Sequence, residues 1–328
     1  MSVSKAANIG VGGSAGGGSD GGSVTIDNAR DITTRGADAH GIFAQSVGGG
    51  GGNGGSGYHG LDWADLGVPE NLAPYFELLP IKSEGDLQIV AGGSGGSSGS
   101  GRDVVVKSEG RIVTLRDGSF GILAQSIGGG GGTAGIGAVG EEGTVGIGGG
   151  GGAAGDGGAV RIEVTGDIET SGKAAHAIFA QSVGGGGGIA GNVDRGVESF
   201  GTNLAFGRDG GSAGDGGAVT VTSAGNITTR GSGAYGIFAQ SVGGGGGLAG
   251  DIGPGIGFAG SVGGDGSAGE VKITHTGNIT THGDTSHAIF AQSAGGHADL
   301  VLQQTVTLLP DGTLKKDGEG NIVFGAPV

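Results

Sequence analysis

The sequence predicts an all-β, right-handed parallel β-helix or β-solenoid. Three observations carry this. One 32-residue block recurs five times. Short apolar alternations of period two recur inside each block. Glycine supplies 90 of 328 residues without the G-X-Y spacing of collagen. A self-repeating chain in which no single copy can bury its apolar face folds by stacking its copies.

Each block starts with a V-x-I element: Val24/Ile26, Val160/Ile162, Val219/Val221 and Val271/Ile273. Apolar residues two apart lie on one face of a strand. Turn chemistry follows, as in Gly225-Asn226 and Gly277-Asn278. An I-x-T element is next, carried by Ile32, Ile112, Ile168, Ile227 and Ile279. Gly36, Gly172, Gly231 and Gly283 then predict a second turn, with Arg116 in that place in the second copy. The third strand is of the G-I-F-A-Q-S-V type. It contains an invariant Ala-Gln-Ser whose glutamines are Gln45, Gln125, Gln181, Gln240 and Gln292. Stacking predicts that these glutamines form an amide ladder and that the five isoleucines form a core column.

Glycine runs follow in four copies, at Gly48–Gly52, Gly128–Gly132, Gly184–Gly188 and Gly243–Gly247. Their fixed distance from Ala-Gln-Ser favours side-by-side packing of extended, polyglycine-II-like strands over flexible linkers. The blocks span 21–52, 101–132, 157–188, 216–247 and 268–296, within a solenoid expected over 1–296. Successive blocks start 52 to 80 residues apart. If a coil needs roughly 25 residues, each spacer adds one or two further rungs. That gives about a dozen rungs and a rod of about 60 Å.

Two segments depart from the repeat. Residues 58–90 hold the only Trp. Tyr58, Trp63, Tyr75 and Phe76 make this insertion a candidate binding element, or an aromatic cap on the solenoid edge. Residues 297–328 read as a hairpin-like cap or a link to further sequence, with a turn at Asp311-Gly312.

Composition narrows the function. A net charge of −15 disfavours nucleic acid and anionic membrane as partners. With no Cys there is neither a disulfide framework nor a thiolate metal site. No apolar run is long enough for a membrane-spanning helix, so this segment is not expected to be membrane-embedded. No catalytic, cofactor-binding or metal site is predicted. The column His40, Phe120, His176, Tyr235 and His287 accepts any flat ring and so reads as a packing position. Asp20, Asp156 and Asp215, at 59 residues or more from one another, read as turn residues, not calcium ligands.

The motif G-I-x-A-Q-S-[VI]-G-G-G-G-G, preceded by G-x-I-x-T-x-G, resembles passenger-domain repeats of autotransporter outer-membrane β-barrel proteins of Gram-negative bacteria. It lies at Gly41–Gly52, Gly121–Gly132, Ala177–Gly188 and Gly236–Gly247, with a partial copy at Ala288–Gly296. The resemblance implies type V secretion and display outside the cell, at the bacterial surface and associated with the outer membrane. A translocator barrel is expected but absent from this chain, as is a signal peptide. The expected function is structural or adhesive, without catalysis, toward a glycan or protein of a host or neighbouring cell. The alternatives are a β-helical polysaccharide lyase or hydrolase, and a disordered glycine-rich matrix protein.

Overall fold

The computed structural model describes residues 7–57, 87–139, 144–195, 204–250 and 256–296. These residues form a parallel β-solenoid of four five-stranded sheets and one two-stranded sheet. Every pairing between neighbouring strands is parallel. No helix occurs among the described residues.

Sheet A contains Ala7–Val11, Leu87–Ala91, Thr144–Ile147, Leu204–Phe206 and Ile256–Phe258. Sheet B holds the V-x-I strands Val24–Asn28, Val104–Ser108, Val160–Val164, Val219–Ala224 and Val271–Thr276. Sheet C holds Ile32–Thr34, Ile112–Thr114, Ile168–Thr170, Ile227–Thr229 and Ile279–Thr281. Sheet D holds Ile42–Val47, Ile122–Ile127, Ile178–Val183, Ile237–Val242 and Ile289–Ala294. The chain visits them in the order A, glycine segment, B, C, D, glycine segment, and then repeats.

The rung count differs from the sequence expectation. Ile42 pairs with Ile122, Ile122 with Ile178, Ile178 with Ile237 and Ile237 with Ile289. Successive copies are therefore direct neighbours, and each repeat with its spacer forms one rung. The spacers add width to the rung, not height. Five rungs at the spacing of paired strands rise only about 24 Å from end to end, counting one spacing per rung. The described part of the 58–90 segment belongs to the solenoid, because Leu87–Ala91 pairs with Thr144–Ile147. Tyr58, Trp63, Tyr75, Phe76 and the tail 297–328 lie outside the described residues.

Sheets B, C and D enclose the apolar core. Val104, Val106, Ile112, Ile122, Ile162, Ile178 and Ile237 are fully buried. Burying each such side chain contributes about 1.5–3 kcal/mol. The Thr of I-x-T points inward and closes the turn from C to D. Thr114, Thr170 and Thr229 donate from Oγ1 to the carbonyls of Ser119, Ala175 and Ala234. The left-handed residue of this turn is not the glycine the sequence singles out. It lies two positions later, at Asp38, Gly118, Ala174, Gly233 and Thr285, with φ between 51° and 68°. Gly172 instead marks a close approach, since a Cβ there would sit 2.0 Å from the Arg116 carbonyl oxygen.

The glycine segments form two ordered layers. After sheet D, the amides of Gly48, Gly51, Gly54 and Gly57 donate to carbonyls of the next rung, at 2.8–3.0 Å. Their successors Gly49, Gly52 and Gly55 donate across to Ser19, Gly16 and Gly13 of the segment that precedes sheet B. Gly99, Gly96 and Gly93 of the second rung in turn donate to Gly49, Gly52 and Gly55. The third residue of each triplet faces outward. This is the three-residue turn of a polyproline-II-type helix, whose backbone bonds only to neighbouring chains. The partner numbers run in opposite directions, so the two layers are antiparallel to each other and parallel within themselves.

Candidate functional site

The repeated side chains on the outer face of sheet D form columns along the stack. Alternation places Ile42, Ala44 and Ser46 inward and Phe43, Gln45 and Val47 outward. Parallel pairing without a slip puts Phe over Phe or Leu, and Gln over Gln, through five rungs.

The glutamines bond in series. Gln45, Gln125, Gln181 and Gln240 each donate from Nε2 to Oε1 of the next glutamine, at 2.5–2.8 Å. Each of the three inner amides spends one donor and one acceptor on the ladder and keeps the other pair. The isoleucines of sheet C lie under the adjoining corner. Ile112, Ile168 and Ile227 are buried, while Ile32 and Ile279, in the end rungs, are partly buried against the same core.

Next to the glutamines run two ring columns. His40, Phe120, His176, Tyr235 and His287 follow one another at 4.9–5.0 Å. Phe179 and Phe238 lie 4.6 Å apart with planes 4° from parallel, and Phe238 and Phe290 are 4.9 Å apart. Such rings cover one another's faces and turn their edges to solvent. The histidines also carry a backbone bond: His40 Nδ1 accepts from Phe120 N–H, and His176 Nδ1 from Tyr235 N–H. Burial holds the His176 imidazole below its usual range.

The serine of Ala-Gln-Ser points the other way. Ser126 is buried, donates from Oγ to the Arg102 carbonyl and accepts from Gly158 N–H, both within 2.9 Å. Ser182 and Ser241 repeat this arrangement. The hydroxyl sews sheet D to the start of sheet B. A doubly bonded, buried hydroxyl is positioned as a structural clamp, not as a nucleophile.

Charge is grouped elsewhere. On the sheet C side, the Glu169 carboxylate lies 2.8 Å from the Arg111 guanidinium and 2.9 Å from that of Arg230. The hydrogen bond from Arg230 leads in holding its carboxyl below the ordinary range. This cluster on adjacent rungs is what a polysaccharide-acting enzyme would draw on. Kept ionised by two guanidinium groups, Glu169 is a poor proton donor. No group of three His, Asp or Glu arranged for a metal ion occurs among the described residues.

The aspartates before the first, third and fourth blocks have a role that the sequence reading missed. They lie on the outward phase of a glycine layer, not in turns. Asp20 Oδ1 accepts Ser100 N–H, Ser100 Oγ accepts Asp156 N–H, Asp156 Oδ1 accepts Asp215 N–H, and Asp215 Oδ1 accepts Ser267 N–H. Asp209 Oδ1 accepts both the N–H and the Oγ–H of Ser261, and the hydroxyl's bond leads in lowering the Asp209 carboxyl pKa. The available signal was the spacing of three from Asp20 to Gly17 and Ser14, and from Asp215 to Ser212 and Asp209.

Fold and side-chain columns together define a parallel β-solenoid whose repeated residues bond mainly to their own equivalents. Comparison with protein-family models, with curated proteins and with solved structures finds no match for the chain.

Proposed function

We propose that this chain is a non-catalytic, structural or adhesive solenoid segment, displayed at a bacterial surface in the manner of an autotransporter passenger. One observation carries the reading. The residues that recur in every copy (Gln, Ser, the ring position, Ile and Thr) are spent on rung-to-rung bonds or on the core. Repetition here builds length and rigidity, so recognition falls to what does not repeat. The 58–90 segment, with Trp63 and Tyr75, is the candidate for that role. The motif resemblance supplies the cellular setting.

The test is binding of the purified chain to immobilised host cells and to a panel of glycans. It is run with and without residues 58–86, so that strand Leu87–Ala91 is spared. Binding that disappears with the segment, without release of shortened glycan, supports the proposal. Steady glycan turnover contradicts the non-catalytic part, and binding to neither target contradicts the adhesive part.

A further inference from the structure

The geometry points to a docking surface for a second copy of this chain on one uncharged side of the solenoid. The inference stands on this face alone and does not depend on the adhesive reading.

The face is continuous. Sheet D runs directly into the first glycine layer, whose other side is covered by the second layer. The outward residues of both therefore lie on the same side. In the first rung these are Phe43, Gln45 and Val47, then Gly50, Asn53 and Ser56. Charged residues make up 14 % of the chain. Yet no Asp, Glu, Lys or Arg occurs in 40–57, 120–137, 176–193, 235–250 or 287–296. The other sides carry the charge, for example Asp27 and Glu163 on sheet B and Glu169 on sheet C.

The face is also where apolar groups reach solvent. Phe43 (53 % exposed), Val47, Ile136, Ile189 and Leu248 all lie on it. They account for five of the eight large apolar side chains exposed among the described residues. A chain that keeps charge off one broad side and places its exposed apolar groups there has the makings of an interface.

Three arguments select a second copy as the occupant. The first is charge. Each chain carries −15, and this is the side on which two copies meet without bringing like charges together. The second is relief. The Phe column forms a ridge, whereas Gly50, Gly130 and Gly186 form a trough, where an added Cβ would find its nearest neighbour 3.7–3.8 Å away. A two-fold axis parallel to the stack along this trough, at the middle of the face, lets the raised columns on either side of it meet, Val183 over the partner's Ile189 and Val242 over the partner's Leu248. It also keeps the rungs of both copies at one spacing. Such an interface is isologous and closes at the dimer. The third is area. A six-residue strand spans about 20 Å. The glycine segment 48–57 adds about 30 Å. Over a height of about 24 Å the face offers about 1,000 Å² per copy, above the ~800 Å² per partner of a standard interface. A polysaccharide strand fits less well, because sugars stack on ring faces and these are already covered by the neighbouring rungs.

Sedimentation velocity of the full chain over a concentration series tests the inference. The variants are Ile189→Asn with Leu248→Asn, and Val183→Glu. The first pair copies Asn53, which occupies the same outward place in the first rung, so it is compatible with the fold. Thr222→Glu, exposed on sheet B, is the control. Circular dichroism melts confirm that each variant folds. The wild-type chain is expected to dimerise reversibly, and more tightly as salt screens its net charge. The face variants should weaken the dimer at least about tenfold, and the control should not. A chain that stays monomeric at all concentrations would overturn the inference. So would a dimer indifferent to the face variants, or a monomer retained on insoluble glucan through these residues.

Discussion

Two alanine substitutions two residues apart should change stability in opposite directions, because the glycine layers have a period of three. Gly188 is a crossing residue. Its amide donates to the Gly152 carbonyl, and its own carbonyl accepts from Gly211 N–H. A Cβ there would lie 2.2 Å from the Gly132 carbonyl oxygen. Relieving that overlap pushes two rungs apart and weakens both hydrogen bonds, each worth about 0.5–1.5 kcal/mol net. With packing strain included, Gly188→Ala should cost about 2–4 kcal/mol. Gly186 faces outward, and its Cβ would meet nothing closer than the Gly245 carbonyl oxygen at 3.8 Å. Gly186→Ala removes freedom only from the unfolded chain and should stabilise by about 0.4–1 kcal/mol. Urea unfolding followed by circular dichroism gives both shifts in midpoint. Equal effects of the two substitutions would refute the layered packing, since a flexible linker does not distinguish the positions.

Four further outcomes follow from the same geometry. Ile168→Ala empties a fully packed core position and should lower stability by about 2–5 kcal/mol in the same urea assay. Thr170→Val leaves the Ala175 carbonyl without its donor and should cost about 1–3 kcal/mol, with the strand content unchanged by circular dichroism. Arg230→Ala removes one of two exposed guanidinium partners of Glu169 and should cost no more than about 1 kcal/mol, a loss that shrinks in high salt. The fourth concerns pH. Burial lowers the folded-state pKa of His176, so its contribution is fully present above the unfolded value of about 6.5 and is lost as pH falls through the folded value. Melting temperature should therefore drop on mild acidification, and His176→Phe, which copies Phe120 of the neighbouring rung, should flatten that part of the profile.

What was legible in the sequence is what side chains mark. V-x-I and I-x-T show their inward phase because Val, Ile and Thr alternate with polar residues, and the shared Ala-Gln-Ser frame is the register of sheet D. The fold class followed from these. The glycine layers were only half legible. A run of five glycines shows no phase, so the period of three emerges only at its flanks, in pairs such as Thr133/Ile136 and Ile189/Asn192. For the same reason the rung count was overestimated. Spacers were divided into coils of strand length, although much of their length is glycine helix within a single rung. The turn was marked by Gly36 and its equivalents, but its left-handed residue carries no signal, because Asp38, Ala174 and Thr285 hold it without glycine. The uncharged face was present in the sequence as five charge-free stretches, but which of their residues look outward depends on the two-layer packing.

The claim on which the rest depends is that one repeat makes one rung. Thr33 and Thr280 are exposed on the first and last strands of sheet C, four strand spacings apart. The chain has no native cysteine, so nitroxide labels at Thr33→Cys and Thr280→Cys, diluted in an excess of unlabelled chain, report this pair alone. Pulsed electron spin resonance should give a narrow distance distribution centred near 20 Å, the sum of four spacings. A distribution beyond about 40 Å would mean that the spacers form rungs of their own, and would contradict this architecture.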